Sequence, residues 1–406
     1  MSATNNFLCI LLFLYNIIFM SYNEHFRKAS IGSLFRTSSI GILFLLLFVM
    51  FFYYYHVNKG IKVRNDNMSK STSVLCLAGI VALVLSLFNE VTNSRFDLVG
   101  HTLKYFFIYI IPIVFSYMWA NTVDDQNKRR MIDCIFFAGV AYFVFDNITN
   151  FTPSAIFSIS WNNSYSSAFE SDNAHLFLFT LVFYRYVGDK RKSILSLILC
   201  MLSFKRLSFI LAPLLFFGHK LFFGKKTNRF IIYALAIAMV ILPVGLELLA
   251  MRYENLAKML NGLDLNELSS GRLMSIVLLR PYKSQFLGLG SIAYFIEHST
   301  QLTIQKIGYL HCDLLVWIWE CGIIPVIIMV FGLSKIMRED SKLFIMIAYL
   351  FFMLSTTHFL DMHLYMTSFY MITFYFLFDK SREKELIEDS QNQETVQSEC
   401  ESVPQE

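Results

Sequence analysis

Charge is what this sequence has least of: only 16% of its 406 residues are Asp, Glu, Lys or Arg, against 56% hydrophobic and 17% aromatic. A chain so composed cannot hide its apolar surface inside a water-soluble globule, and a bilayer has to do the hiding. Clustered basic charge is missing as well. The formal net charge of +4 is small and dispersed, whereas phosphate contacts along a nucleic acid need basic residues gathered on one face, so no nucleic-acid partner is expected. Paired cysteines are also wanting. The seven present, Cys9, Cys76, Cys134, Cys200, Cys312, Cys321 and Cys400, lie far apart with no CxxC and no adjacent His at ligand spacing. They read as small core residues and leave the redox compartment open. Finally, the amino terminus lacks the basic leader and small-residue cleavage site of a signal peptide, so the apolar stretch from Phe7 to Tyr22 is expected to stay as the first helix.

What the chain does have is a succession of apolar runs long enough to cross a hydrocarbon core of ~30 Å. They predict an all-α, polytopic integral membrane protein of about 12 transmembrane helices embedded in a lipid bilayer. Two short runs, 193 to 204 and 207 to 223, meet at Lys205 and Arg206. They read as two helices joined by a tight turn, because one span with two central charges would be costly. Lys and Arg collect after alternate helices, as at Lys59, Lys62, Arg64 and Lys70, at Lys128, Arg129 and Arg130, and at Lys190, Arg191 and Lys192. Short basic loops stay cytoplasmic, which puts both termini in the cytoplasm. The segment from Asp146 to Asn173 has no Lys or Arg and belongs to the opposite side. Arg27, Lys28 and Arg36 break this alternation, and the charge rule offers no account of them.

The predicted organisation is a membrane domain over 1–380, interrupted by one large periplasmic loop at 251–308 between spans nine and ten, and a disordered acidic cytoplasmic tail over 381–406. Within the loop, Tyr253, Leu256, Ala257, Leu260 and Leu263 recur at helical spacing and predict a short amphipathic helix on the membrane surface. A second helix is predicted from Gly271 to Arg280, ended by Pro281.

Polar groups beside a membrane are worth inspecting where they face a cavity. Arg206 sits in SFKRLSF, where two helix ends open outward; Arg272 follows a Ser-Ser-Gly turn in SSGRLMS; Arg280 and Lys283 come next. In YLHCDLLVWIWECGI, His311 opens the tenth span, with Asp313 two residues on and Glu320 about two turns below it on the same face. Guanidinium forks bind pyrophosphate bidentately and a positioned imidazole takes a proton near neutral pH, a combination suited to transfer from a pyrophosphate leaving group. Plainer roles stay open for each: an interfacial or ion-paired Arg206, solvated Arg272 and Arg280, a hydrogen-bonded His311, and Asp313 and Glu320 as links between helices. No metal is called for, since the adjacent carboxylate pair Asp124 and Asp125 lies on the cytoplasmic side. The spacing of His358, Asp361 and His363 matches no familiar metal site.

The order of these features resembles that of the O-antigen polymerase and O-antigen ligase superfamily, the Wzy-type polysaccharide polymerases and their ligase relatives. SFKRLSFILAPLL resembles the family's Ser-Arg turn and following helix, with Lys205 where Ser or Thr is more usual. SSGRLMSIVLL is similar to its Gly-Arg segment, and LGLGS at 287–291 to the Gly-x-Gly that follows. LHCDLLVWIWECGII resembles its His-led helix start, and AFESDNAHLFLF is a weaker echo of the segment before the sixth span. The resemblance implies a metal-independent, cofactor-free glycosyltransferase of the periplasmic face acting on an undecaprenyl pyrophosphate-linked oligosaccharide in polysaccharide or lipopolysaccharide biosynthesis. Carried over, Arg206 and Arg272 are pyrophosphate binders and His311 is the general base or acceptor-orienting group. Arg280 joins them on charge and position, while Lys205, Asp313 and Glu320 support them. A polymerase is expected first, working beside a chain-length regulator. The alternatives are a ligase that transfers glycan to lipid A core and, from another class, a flippase.

Overall fold

The protein is described here by a computed structural model covering residues 2–21, 32–60, 66–150, 171–203, 205–222, 227–252, 272–305, 307 and 309–379. The expected amphipathic helix at Tyr253–Leu263 and the tail at 381–406 lie outside these residues. Every regular element among them is helical. In hydrocarbon each backbone N–H and C=O has to be paired within its own segment, and runs of Leu, Ile, Phe and Val satisfy that as helices.

The first five helices are α1 (Ser2–Ser21), α2 (Gly32–Asn58), α3 (Asn67–Thr92), α4 (Val99–Thr122) and α5 (Asp125–Asn150). Shorter ones follow: α6 (Asn173–Val187), α7 (Lys190–Leu202) and α8 (Arg206–Phe222), then the long α9 (Arg229–Met251). Six of these, α1 to α5 and α9, are long and apolar enough to cross a membrane. Their outward faces carry Phe48, Phe52, Ile237 and Ile241, and Phe230 is 77% exposed. Bare in water such a band would cost roughly 25 cal/mol for each Å², so this surface belongs against lipid.

The remaining elements are α10 (Arg272–Leu279), α11 (Ser291–His298), α12 (Asp313–Cys321), α13 (Ile323–Met337), α14 (Ser341–Thr356) and α15 (363–379). The helix expected from Gly271 to Arg280 is thus present as α10, and the chain beyond it tightens into a 3-10 segment at Arg280–Gln285, with Pro281 at its start. The apolar run from 309 to 333 is not one continuous helix. Gly322 breaks it with φ 84° and ψ 176°, a region that a Cβ forbids, so α12 and α13 meet at an angle. The tight turn expected at Lys205 is present at 203–205, between α7 and α8.

Helix α15 is buried on every side from 362 to 377 and runs through the middle of the bundle. Around it α1 packs on α2 and α5, α3 on α4 and α13, and α6 on α7 and α8. A separate small core of Leu273, Ile276, Leu279, Phe286, Ile292, Ile296, Leu310 and Trp319 joins α10, α11 and α12 into a cap over one end. At the opposite end the short loops carry the helix caps Asp66, Asp189, Asn228 and Asp340. Cations lie at this end too: the buried Lys128 is 3.4 Å from Asp125 and 3.7 Å above the Phe378 ring, and the half-buried Lys192 is 2.7 Å from Asp133. Charge of this kind is tolerated at a helix end where aromatic faces and carboxylates take it up.

Candidate functional site

At the capped end, α14 stops at Thr356 and the chain turns through 357–362 before entering α15. The turn is stitched to the start of α12. Asp313 accepts the Leu360 N–H at 2.7 Å through Oδ2, and its own N–H donates to the Thr357 carbonyl at 3.3 Å. Since Asp313 is buried, losing either bond would leave a desolvated polar group without its partner. The stitch therefore fixes His358, within the turn, against His311, two residues before Asp313.

The two imidazoles meet Nδ1 to Nδ1 at 3.3 Å. One of them donates and the other accepts, so the pair carries at most one additional proton comfortably. Tyr309 stacks on the far face of His358, with ring centroids 4.5 Å apart and planes within 8°. Arg272, at the first position of α10, sends Nε to the Thr356 carbonyl at 2.6 Å, which brings its guanidinium to the same turn. From another direction Lys205 lies 2.9 Å from Asp172, with His175 4.0 Å away on the same carboxylate oxygen. Burial opposes ionisation of Asp172, but Lys205 and His175 outweigh it and hold the carboxyl below its usual range, with His358 adding to them. His175 is fixed in turn by Tyr349, Nδ1 to the hydroxyl at 2.6 Å, and Ser208 lies 3.2 Å from that hydroxyl.

Under the turn is a pocket whose walls are Tyr105, Tyr109, Trp317 and Ile296 and whose ionisable lining is Asp313, Glu320, His358 and Asp361. Its floor is the LGLGS segment, inserted between helices. Glu320 accepts the Gly290 N–H at 2.9 Å and the Ile292 N–H at 2.8 Å, capping α11 with a carboxylate. Thr102 donates to the Leu289 carbonyl at 3.1 Å, and Leu289 N–H donates to Ser86 at 3.1 Å. Both glycines are required by space. A Cβ on Gly288 would lie 2.1 Å from a Glu90 carboxylate oxygen, and one on Gly290, at φ 79°, would lie 2.3 Å from the Tyr105 ring.

Of the residues singled out in the sequence, His311, Arg272, Asp313 and Lys205 are thus grouped about one turn, with Glu320 beneath it. Arg280 stands apart: it is 3.7 Å from Glu247, which Lys283 and the Trp319 N–H also engage. Arg206 begins α8 beside Lys205, and its side chain lies outside the described residues. Four residues at this end were not singled out as site residues. His358 was weighed only as a metal ligand, although a His in a short turn between two apolar runs is marked as belonging to the same side as His311. Arg36 stood out only as a breach of the charge rule. Lys104 and Tyr105, in an ordinary-looking helix, gave no signal. Among the described residues no three His, Cys, Asp or Glu side chains are grouped so as to hold a metal ion.

No family model matches the chain, and neither a curated protein nor a solved structure does. The fold and surface define a helical membrane protein with a mainly apolar pocket, bearing a few ionisable side chains, at one end of its bundle.

Proposed function

We propose that this chain is a membrane glycosyltransferase using a polyprenyl pyrophosphate-linked donor, specifically a surface polysaccharide polymerase. It would transfer the growing glycan from undecaprenyl pyrophosphate to the next lipid-linked repeat unit on the periplasmic face of the inner membrane, with about 12 spans and both termini cytoplasmic. The observation that carries the reading is the grouping of the His311–His358 pair with Arg272 and Lys205 around one turn above a mainly apolar pocket. In the reaction the acceptor hydroxyl oxygen attacks the anomeric carbon and the bond from that carbon to the pyrophosphate oxygen breaks. The hydroxyl proton passes to an imidazole, and the pyrophosphate leaves as an anion stabilised by guanidinium and ammonium groups. Donor and acceptor both carry lipid tails in the same leaflet, so positioning supplies much of the rate.

A ligase acting on lipid A core uses the same chemistry and differs only in acceptor. The break at Gly322 is a feature transporters employ. Here, however, Glu320 beside it is engaged by the backbone N–H groups of Gly290, in the inserted LGLGS segment, and of Ile292 just after it, which favours a positioned floor over a moving gate. A glycan gel of a knockout complemented with His311→Ala, Arg272→Ala or Arg206→Ala tests the proposal. Inserted protein with only single-unit glycan is expected; a normal ladder from all three variants overturns it. Uncapped core with long lipid-linked polymer would point to the ligase instead.

A further inference from the structure

Arg36 has no place in the mechanism above and no excuse in the charge pattern, yet it lies at the pocket. It starts α2 and reaches across to Asp361 in the turn, Nη2 to the two carboxylate oxygens at 3.3 and 3.4 Å, and it also reaches the Tyr105 hydroxyl. Asp361 and Tyr105 both line the pocket. Lys104, one residue before Tyr105 on α4, is within electrostatic reach of Arg36 and Asp361, and His101, one turn earlier on the same helix, is within reach of both cations. Arg36 and Lys104 therefore share Asp361, which His358 and His363 also face, and Glu297 is the other carboxylate within reach of Lys104 and His101. Crowding like charges beside lipid is costly unless an anion is to be received there.

What lies below the cluster gives the anion a shape. Helices α2 and α4 pack side by side. Phe44 and Phe107 meet across them with ring centroids 5.2 Å apart, and with Phe48 and Leu103 they face outward as an apolar seam. Phe44 follows Arg36 by eight residues, about 12 Å along the helix, and Phe107 follows Lys104 by one turn. A charged head over a lipid-facing apolar track is the complement of a diphosphate carried on an isoprenoid chain.

We infer that Arg36 and Lys104 form a binding site for the diphosphate of an isoprenoid-linked substrate, whose tail lies along the seam between α2 and α4 and whose head opens into the pocket through Tyr105 and Asp361. The assignment rests on the proposed function for its direction, since that reading needs a lipid diphosphate at this end. It also explains the retained positive charge: Arg36 is kept against the charge rule because it holds substrate.

The test is direct binding to the purified full-length chain in nanodiscs, by native mass spectrometry with undecaprenyl diphosphate, and with inorganic pyrophosphate and phosphatidylglycerol as separate competitors. The double variant Arg36→Gln with Lys104→Gln is expected to bind undecaprenyl diphosphate at least about tenfold more weakly. Arg36→Lys with Lys104→Arg retains the charge and controls for folding, and it is expected to bind within a few-fold of the natural chain. Competition by undecaprenyl diphosphate but weakly by free pyrophosphate assigns head and tail together. Equal competition by pyrophosphate removes the seam, and equal competition by phosphatidylglycerol reduces the site to a general lipid contact; either overturns the inference. So does undiminished binding by the Gln variant. Binding that depends on Arg36 in a strain whose knockout makes a normal glycan ladder would sink the polymerase reading and leave the lipid diphosphate site standing.

Discussion

Asp172 is the carboxylate whose ionisation depends most plainly on its neighbours, and it can be read by titration. Its ordinary value is 3.8, and Lys205 with His175 depresses it in the folded chain despite burial. A depressed carboxyl contributes its stability above the unfolded value and loses it as pH falls through the folded one. Asp172→Asn is therefore expected to lower stability by about 1–2 kcal/mol near neutral pH, measured as melting temperature in detergent. The gap to the natural chain should begin to narrow below about pH 4 and close only under the depressed folded value; a gap that widens in acid would contradict the ion pair. Asp313 acts on the site through another residue. Asp313→Ala removes the acceptor of the Leu360 N–H and is expected to free the turn, so that polymer length falls while Asp313→Asn, which keeps an acceptor oxygen, restores most of it. At this scale His311, Arg272 and Lys205 were legible because each lies beside an apolar run in a local pattern. Arg36 and Lys104 were not, because their meaning comes from Asp361, more than two hundred residues away in sequence, and no local spacing records that contact.

Among the elements, the LGLGS segment and the Gly322 break decide the pocket's floor. Gly290→Ala meets both a left-handed backbone, worth about 1–2 kcal/mol, and the Tyr105 ring. Gly322 has open space around it, so Gly322→Ala meets backbone strain alone, about 1–3 kcal/mol. Thermal unfolding should thus rank Gly290→Ala below Gly322→Ala, and limited proteolysis of the former is expected to cut near 286–290, where the floor has come away. Equal behaviour of the two would mean that the contact with Tyr105 carries no weight. The helices themselves were visible in the hydropathy, and so was the tight turn at Lys205. The break within 309–333 was hidden because a single glycine in an apolar run looks like a tolerated helical residue; only its φ shows that it ends one helix and begins another.

For the whole molecule, the Arg36–Asp361 bridge sets the start of α2 on the same side as the turn into α15, and the buried Lys128 and Lys342 lie with the half-buried Lys192 at the other end. In a cysteine-free background, Thr357→Cys and Ser299→Cys are expected to react with an impermeant maleimide in intact spheroplasts, and Gln126→Cys and Glu339→Cys only after permeabilisation. The reverse pattern would turn the protein over. The all-α membrane class was readable from composition alone, because no soluble packing hides so much apolar surface. The convergence of the site was not, since it joins α2, α4, α6, α10, α12 and the turn into α15, and contacts among distant segments are a property of the bundle.

The central claim is that His311, His358 and the cations about their turn act together on one lipid-linked substrate. It is tested most directly by the glycan ladder of cells carrying His358→Ala, compared with His311→Ala and the double variant at matched membrane levels. Both single variants are expected to stop at single-unit glycan, with the double variant no worse than either, because residues acting as a unit are not additive. A full-length ladder from His358→Ala beside an empty one from His311→Ala would separate the two imidazoles and contradict the account.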